Sequence, residues 1–390
     1  MKGRDVVVIG VGMTRFGFFP ERGIREMAAE ASWQALQDAG VKPREIETAY
    51  LGYCLGLFNG QECVPGQIVF PPVGIRGIPV TRIESACASG SVAFREAYLG
   101  VASGQYDMAV ALGLEMMSRA PNTVVRKYMS GGADNELESE MGLTFPGVFG
   151  MYARRHMKDF GTTLEHLALV TVKNRGNASL NPRAHFTSPS TVEEVLSSRM
   201  VADPLRLLNC CPISDGAAAA VLTTAKKARE LGKKGLIRVA ASVQNSCVFD
   251  EPPDLNTFEG TVRAAEKAYE TSGLGPEDID LAEVHDCFSI AEIMHVEDLG
   301  FCKKGEGGFF TAGGHTAITG KIPVSPSGGL LGKGHPLAAT GVAQIVEVVE
   351  QLRGLSGPRQ VPKARVGLTH TVGGFTRGES GTVVVTILKK

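Results

Sequence analysis

The sequence predicts an α/β fold, built as a duplicated pair of similar halves, and three features point to it. Short apolar runs that read as strands alternate along the 390-residue chain with stretches that read as helices, the pattern of sheets with crossover helices. The strand-like runs are continuous in Val, Ile and Ala, so each sheet is covered on both faces. The segment ALQDAGVKPREIETAYLGYC (35–54) also lies without a gap over AYETSGLGPEDIDLAEVHDC (268–287), at a constant offset of 233. Both copies carry a helix end, a glycine (Gly40, Gly273), a proline (Pro43, Pro276), an acidic turn, an isoleucine (Ile46, Ile279) and a cysteine (Cys54, Cys287) after the strand.

In chain order, DVVVIGVG opens the first half as a buried strand. It is a poor signal peptide, being short, preceded by an acidic residue and lacking a small-residue cleavage pattern. IREMAAEASWQALQDAG follows as a helix and DMAVALGLE as a further strand. From about 119 to 200 the pattern degrades into Met, Pro, Gly and mixed charge, as in SRAPNTVVRKYMSGGADNELESEMGLTFPG. This reads as an insertion on the first half, a lid or binding loop, with a disordered linker as the alternative. IRVAASV, the helix FEGTVRAAEKAYETSG, and the strands DLAEV, ARVGLTH and GTVVVTILK then make the second half. The expected division is 1–235 and 236–390, with both halves contributing strand ends and helix starts to one shared crevice.

A formal net charge of -1 and 43% hydrophobic residues give no basic excess of the kind that nucleic acid or an anionic membrane attracts. No stretch approaches the roughly 20 apolar residues of a membrane span. Eight cysteines scattered through such a chain read as reduced thiols in a cytoplasmic protein.

Four short runs could carry chemistry. RIESACASGSVAFREAY (82–98) puts Cys87 at the entrance of a helix. There it is either a small apolar side chain filling a corner or a nucleophile whose pKa is lowered by helix amides and a neighbouring imidazole. In PSGGLLGKGHPLAATGVAQ (326–344), glycines at 328, 329, 332 and 334 precede His335 and Pro336, a tight turn into a helix with room for a close ligand. EVHDCFSIAE (283–292) places His285 and Cys287 two apart after a strand, on the same face if the chain is still extended. LTHTVGGF (368–375) is the fourth. The spacing of His285, Cys287, His295 and Cys302 matches no zinc pattern, so no metal is expected. Cys210, Cys211 and Cys247 read as core. There is no Walker lysine and no GxGxxG, so no redox cofactor is indicated.

Together these four runs closely resemble the thiolase superfamily, over essentially the whole chain, and most of all its sterol-carrier-protein and archaeal type, in which HDCF replaces an Asn-Glu-Ala-Phe run. The resemblance implies a duplicated five-layer α/β/α/β/α fold with an inserted loop domain, usually in homodimers or homotetramers. It implies that Cys87 is the acylated nucleophile, that His335 activates it, and that His285 helps form an oxyanion hole through a water shared with His335. The backbone amides of Cys87 and Gly373 would form a second hole. Cys287 would be the second acid/base thiol, because the usual Cys-x-Gly cysteine is replaced here by Thr371. Coenzyme A would be a co-substrate, with acyl-CoA its partner in the reaction and no cofactor held permanently. A small zinc-ribbon and OB-fold protein is a partner of some members.

Departures bear on the acyl group. Ser325 stands where asparagine is usual, Ala338 or Ala339 where glycine is, Thr371 where relatives often have asparagine, and Phe375 follows. A branched or aromatic acyl chain such as benzoylsuccinyl is then as acceptable as acetoacetyl. Arg and Lys of the insertion are candidates for meeting phosphates. The competing readings are a ketoacyl synthase, which needs no second thiol, and a non-catalytic acyl-binding subunit.

Overall fold

The computed structural model describes residues 3–248 and 254–390. The first half contains β1 (Val6–Met13), α1 (Ile24–Ala39), β2 (Thr48–Gly52), α2 (Pro65–Val69), β3 (Val80–Ile83), α3 (Ser89–Ala102) and β4 (Met108–Glu115). There follow α4 (Asn122–Met129), α5 (Phe145–Phe160), α6 (Leu164–Ser179), α7 (Val192–Ser197), a small ribbon of β5 (Met200–Ala202) and β6 (Leu205–Arg206), β7 (Gly216–Thr224) and α8 (Ala225–Glu230). The second half contains β8 (Ile237–Ser246), α9 (Glu259–Ser272), β9 (Leu281–Glu283), α10 (Ser289–Asp298), α11 (Gly307–Ala312), α12 (Gly329–Lys333), α13 (Leu337–Arg353), β10 (Val366–Thr376) and β11 (Glu379–Lys389).

The expected pair of sheets is hydrogen-bonded into one nine-stranded sheet, ordered β3-β2-β4-β7-β1-β8-β11-β10-β9. Only Val7 and Val8, opposite Arg238 and Ile237, join the halves across β1 and β8. On either side of that seam the topology repeats: β1-β7-β4-β2 matches β8-β11-β10-β9, with antiparallel pairs nearest the seam and parallel β2-β4 and β9-β10 farther out. β3 has its counterpart in Val324, a parallel bridge to Ala282 of β9. The repeated segment is the local basis. Gly40 and Gly273 both end a helix in the left-handed conformation, at φ 65° and 68°, where a side chain is strained. The turns that follow, Pro43–Glu45 and Pro276–Asp278, are also offset by 233.

Layering follows from alternation. Val7 and Ile9 face a core shared with α1, whereas Val6 and Val8 face one shared with α3 and α13. α9 covers β8 and β11 on the outer side of the second half. The order is α1, first half-sheet, α3 with α13, second half-sheet, α9 with α10: five layers. The central helices touch because glycines let them: a Cβ at Gly90 would lie 2.1 Å from the Ala338 carbonyl, and one at Gly341 2.1 Å from Ser91 Oγ. That contact brings the starts of α3 and α13 together. Among the described residues no helix is long and apolar enough to cross a membrane.

The 119–200 segment is largely helical. α5 and α6 pack on α10 to α12, and Val148, Phe149, Tyr152, Leu167 and Val170 share one core with Phe288 and Ile290 of the second half.

Candidate active site

The five residues singled out in the sequence, Cys87, His285, Cys287, His335 and Gly373, line one cavity of about 400 Å³. Cys87 lies in the one-turn helix Ala86–Ala88 that leads into α3, and Ala86 before it holds φ 46°. A non-glycine residue in that left-handed region is strained, and the next residue, Cys87, lines the cavity. Ser89 Oγ accepts from the Ser85 amide at 2.8 Å and Glu84 Oε1 from the Ala86 amide at 2.7 Å, fixing the turn. Gly373 of β10 packs against its back: a Cβ there would lie 2.1 Å from the Ser85 carbonyl and 2.8 Å from the Ala88 amide.

His335 sits one residue before the cap of α13, which is Pro336. The Thr340 hydroxyl donates to the Pro336 carbonyl at 3.1 Å, so at 2.7 Å from His335 Nδ1 its oxygen accepts from that nitrogen. The tautomer is thereby fixed, with the Nε2 lone pair free to act as a base. His285 and Cys287 follow β9, but the strand ends at Glu283. The expected extended chain is a loop here, and the two side chains reach the cavity because Asp286 ties the loop down. Its carboxylate accepts from the Leu330 amide at 2.8 Å, the Leu331 amide at 3.3 Å and Asn174 Nδ2 at 2.7 Å. The His285 and His335 rings meet edge to face, centroids 5.0 Å apart. One sulfur of Cys87 and one nitrogen from each ring all lie within 4.8 Å of one another.

The electrostatics run against the lowered pKa that one of the two readings of Cys87 carries. Burial, with the Glu115 carboxylate next, pushes this thiol up to about 12, and the backbone hydrogen bond that favours the thiolate is a smaller effect. Glu115 is itself pushed up to about 8 by burial, against the amides of Leu55, Cys54 and Ala338. It is therefore mostly neutral at pH 7, which leaves desolvation as the main cause. Cys287 is also raised by burial and then by the neighbouring thiols Cys211 and Cys87. Burial lowers His285 to about 3, and burial with His285 beside it holds His335 well below the ordinary range. At neutral pH the cavity thus holds neutral thiols and neutral imidazoles.

Sequence reasoning missed several participants. Cys211, expected in the core, lines the cavity, as does Cys54, the counterpart of Cys287 in the repeat. The Cys211 amide donates to the Cys287 carbonyl at 3.0 Å. Buried Lys333 pairs with Glu283 at 3.4 Å beneath the glycine turn; both lie inside quoted runs that were read only for His335, His285 and Cys287. Thr371 is fully buried and outside the cavity lining. It accepts from Ser91 Oγ at 2.8 Å and donates to Gln344 Oε1 at 2.7 Å, joining α3 to α13. Of the four residues first weighed as metal ligands, His285 and Cys287 reach the cavity, whereas His295 and Cys302 lie outside its lining.

A five-layer α/β fold with thiols from both halves and two imidazoles from the second turned into one cavity defines a class of thiol-bearing enzyme. Matches to known proteins agree: residues 6–226 fit the family description Thiolase, N-terminal domain, and residues 241–388 fit Thiolase C-terminal domain-like. The chain belongs to the thiolase family and is an acyltransferase of that class. It is 46% identical over 389 residues to an acetyl-CoA acetyltransferase of Methanothermobacter thermautotrophicus, covering 99% of this chain and 100% of the relative. It is 39% identical over 384 residues, 97% of each chain, to the benzoylsuccinyl-CoA thiolase subunit BbsB of Thauera aromatica. The solved structure of the Ltp2-ChsH2(DUF35) aldolase superposes with a TM-score of 0.84 at 24% identity, covering 99% of this chain and 98% of that one; this is a likeness of fold.

Proposed function

We propose that the protein is a thiolase that cleaves a 3-oxoacyl-CoA with coenzyme A, or runs the reverse condensation, through an acyl group carried on Cys87. The observation that carries this is the convergence of Cys87, Cys287 and both imidazoles on one cavity. Cys87 Sγ attacks the 3-keto carbon as its proton passes to His335 Nε2. The tetrahedral oxyanion then collapses with cleavage of the Cα–Cβ bond, and Cys287, held as a neutral thiol, protonates the departing carbon. In the second half-reaction the Cys287 thiolate takes the proton of coenzyme A, whose sulfur displaces Cys87, and His335 returns the proton to Cys87. One oxyanion is met by the amides of Cys87 and Gly373, the other by a water between His285 and His335. Each such donor is worth about 100- to 1000-fold in rate.

The acyl class we propose is branched or aromatic. Phe145, Phe149, Phe288, Phe375 and Tyr128 line the cavity, with Phe149 stacked on Phe288 at 4.6 Å, and the relative from Thauera aromatica bears the name of an aromatic acyl thioester. The volume falls among ordinary small-molecule sites. Division of the chain at about 235, a homo-oligomer and a cytoplasmic setting complete the reading, the last supported by eight free thiols. A small partner subunit is supported by the word subunit in that relative's name and by the paired name of the structural neighbour. Cys287 favours this over a ketoacyl synthase, which needs no second thiol. The test is a panel of 3-oxoacyl-CoA esters with and without coenzyme A, with mass spectrometry of Cys87. Cleavage that depends on coenzyme A, faster for aryl or branched esters than for acetoacetyl-CoA, supports the whole. No acyl adduct overturns the mechanism, and a preference for acetoacetyl-CoA overturns the acyl class alone.

A further inference from the structure

Among the described residues, Cys87, His285 and His335 are the one group of three side chains offering sulfur, nitrogen or carboxylate ligands close enough together to hold a metal ion. We propose that they form a site for a soft divalent cation, zinc foremost, and that its occupancy closes Cys87 to acylation. Zinc binds thiolate at about 2.3 Å and imidazole at about 2.0–2.1 Å. Ligand atoms on one tetrahedron are thus about 3.3–3.7 Å apart, and the three here, within 4.8 Å, must close by about an ångström. The donor set, one sulfur and two imidazoles, is one that zinc favours over the oxygen ligands magnesium and calcium prefer.

The surroundings are those of a metal ligand as much as of a base. The Thr340 oxygen accepts from His335 Nδ1 at 2.7 Å, leaving Nε2 to donate its lone pair, the arrangement that commonly orients metal-bound histidine. His285 Nδ1 is buried with no partner, although its ring lines the cavity. Three protein ligands leave a fourth corner of the tetrahedron for a water from the cavity. Binding converts the Cys87 thiol and Zn²⁺ into a zinc thiolate, and the proton goes to solvent. The sulfur lone pair that would attack a carbonyl is then held by the metal.

The inference shares residues with the proposed function but needs no acyl chemistry, so it is tested without substrate. Metal-free protein is treated with iodoacetamide with and without ZnCl₂, and labelling of Cys87 and of exposed Cys63 is followed by peptide mass spectrometry. Zinc should slow Cys87 labelling at least tenfold while leaving Cys63 unchanged; equal slowing at both, or none at Cys87, overturns the site. Co²⁺ added in place of zinc should give thiolate-to-cobalt charge-transfer absorption that disappears in Cys87→Ala, with circular dichroism confirming that the variant is folded. Persistence of that absorption in the folded variant places the metal on other thiols and also overturns the proposal.

Discussion

Replacing Gly373 by alanine tests whether the site depends on the contact between β10 and the nucleophile turn. Gly373 is not in the left-handed conformation, so the substitution acts through space and not through backbone strain. The added Cβ would stand 2.1 Å from the Ser85 carbonyl oxygen, where ordinary contacts begin near 3.4 Å, and 2.8 Å from both the amide and Cβ of Ala88. Two of those atoms are backbone, in the turn that carries Cys87, and cannot rotate away. The strand and turn must separate by about 1 Å. Overpacking of this kind costs about 1–3 kcal/mol, whereas a 1 Å misplacement of reacting groups costs about 100-fold in rate, and loss of an oxyanion donor about 100- to 1000-fold. Gly373→Ala should therefore unfold a few degrees earlier yet lose at least about 100-fold in kcat for thiolysis. Calorimetry and a coenzyme A-dependent cleavage assay give the two numbers. Wild-type kcat in the folded variant would refute the claim that this glycine sets the geometry around Cys87.

Because Cys87 is raised to about 12, its alkylation in the free enzyme should keep rising about tenfold per pH unit through pH 9; a plateau by pH 7, read by peptide mass spectrometry, would show a stored thiolate instead. Cys287→Ala should lower carbon–carbon cleavage by about 100- to 10,000-fold and acyl exchange between acyl-CoA and Cys87 less, since coenzyme A leaves as a stable thiolate and a carbanion needs a proton; carbon–carbon cleavage at the wild-type rate would remove Cys287 from the carbon step. Lys333→Ala leaves Glu283 buried without its cation and should cost about 3–5 kcal/mol in urea unfolding; a cost under about 1 kcal/mol would refute the coupling. Stability should peak near pH 6.5. Below it the unfolded chain binds protons on His285, His295, His335 and His370, which the native state refuses. Above it the native state keeps protons on Glu115, Asp286 and Asp298, which the unfolded chain has lost, at about 1.4 kcal/mol per proton per pH unit. An optimum above pH 8 would contradict this.

The duplicated fold was legible because the repeat carried its own punctuation: a glycine that must be left-handed, a proline at the next turn and an apolar strand at a fixed offset. That Cys87 and His335 belong to one cavity was legible because each stands beside small residues at a helix start. What the sequence hid depends on contacts distant along the chain. Cys211 reaches the cavity only because 210–214 runs beside Phe288 and His335, and Glu115 becomes a buried neighbour of Cys87 only once β4 delivers it against the Cys54 and Leu55 amides. The reading with a lowered pKa failed for the same reason. A helix start favours a thiolate, but the cost of removing that thiol from water is set by α13, β10 and the HDCF loop closing over it.

The neutral ground state follows from how duplication builds the site. α3 follows β3, and α13 follows the bridge at Val324 that takes the place of β3 in the second half, so Cys87 and His335 occupy comparable entrances of comparable helices. Close packing through Gly90 and Gly341 presses those entrances together. The same approach that puts sulfur and imidazole within reach excludes the water that would stabilise a thiolate and imidazolium pair. Separated charge is therefore costly in this cavity, and thiol and imidazole both rest neutral. Cys54 and Cys287, equivalent in the repeat, have diverged accordingly. Cys54 Sγ lies 3.5 Å from the Glu84 carboxylate, whereas Cys287 is enclosed by Cys211, Phe288 and Phe149, where burial and the neighbouring thiols hold it protonated.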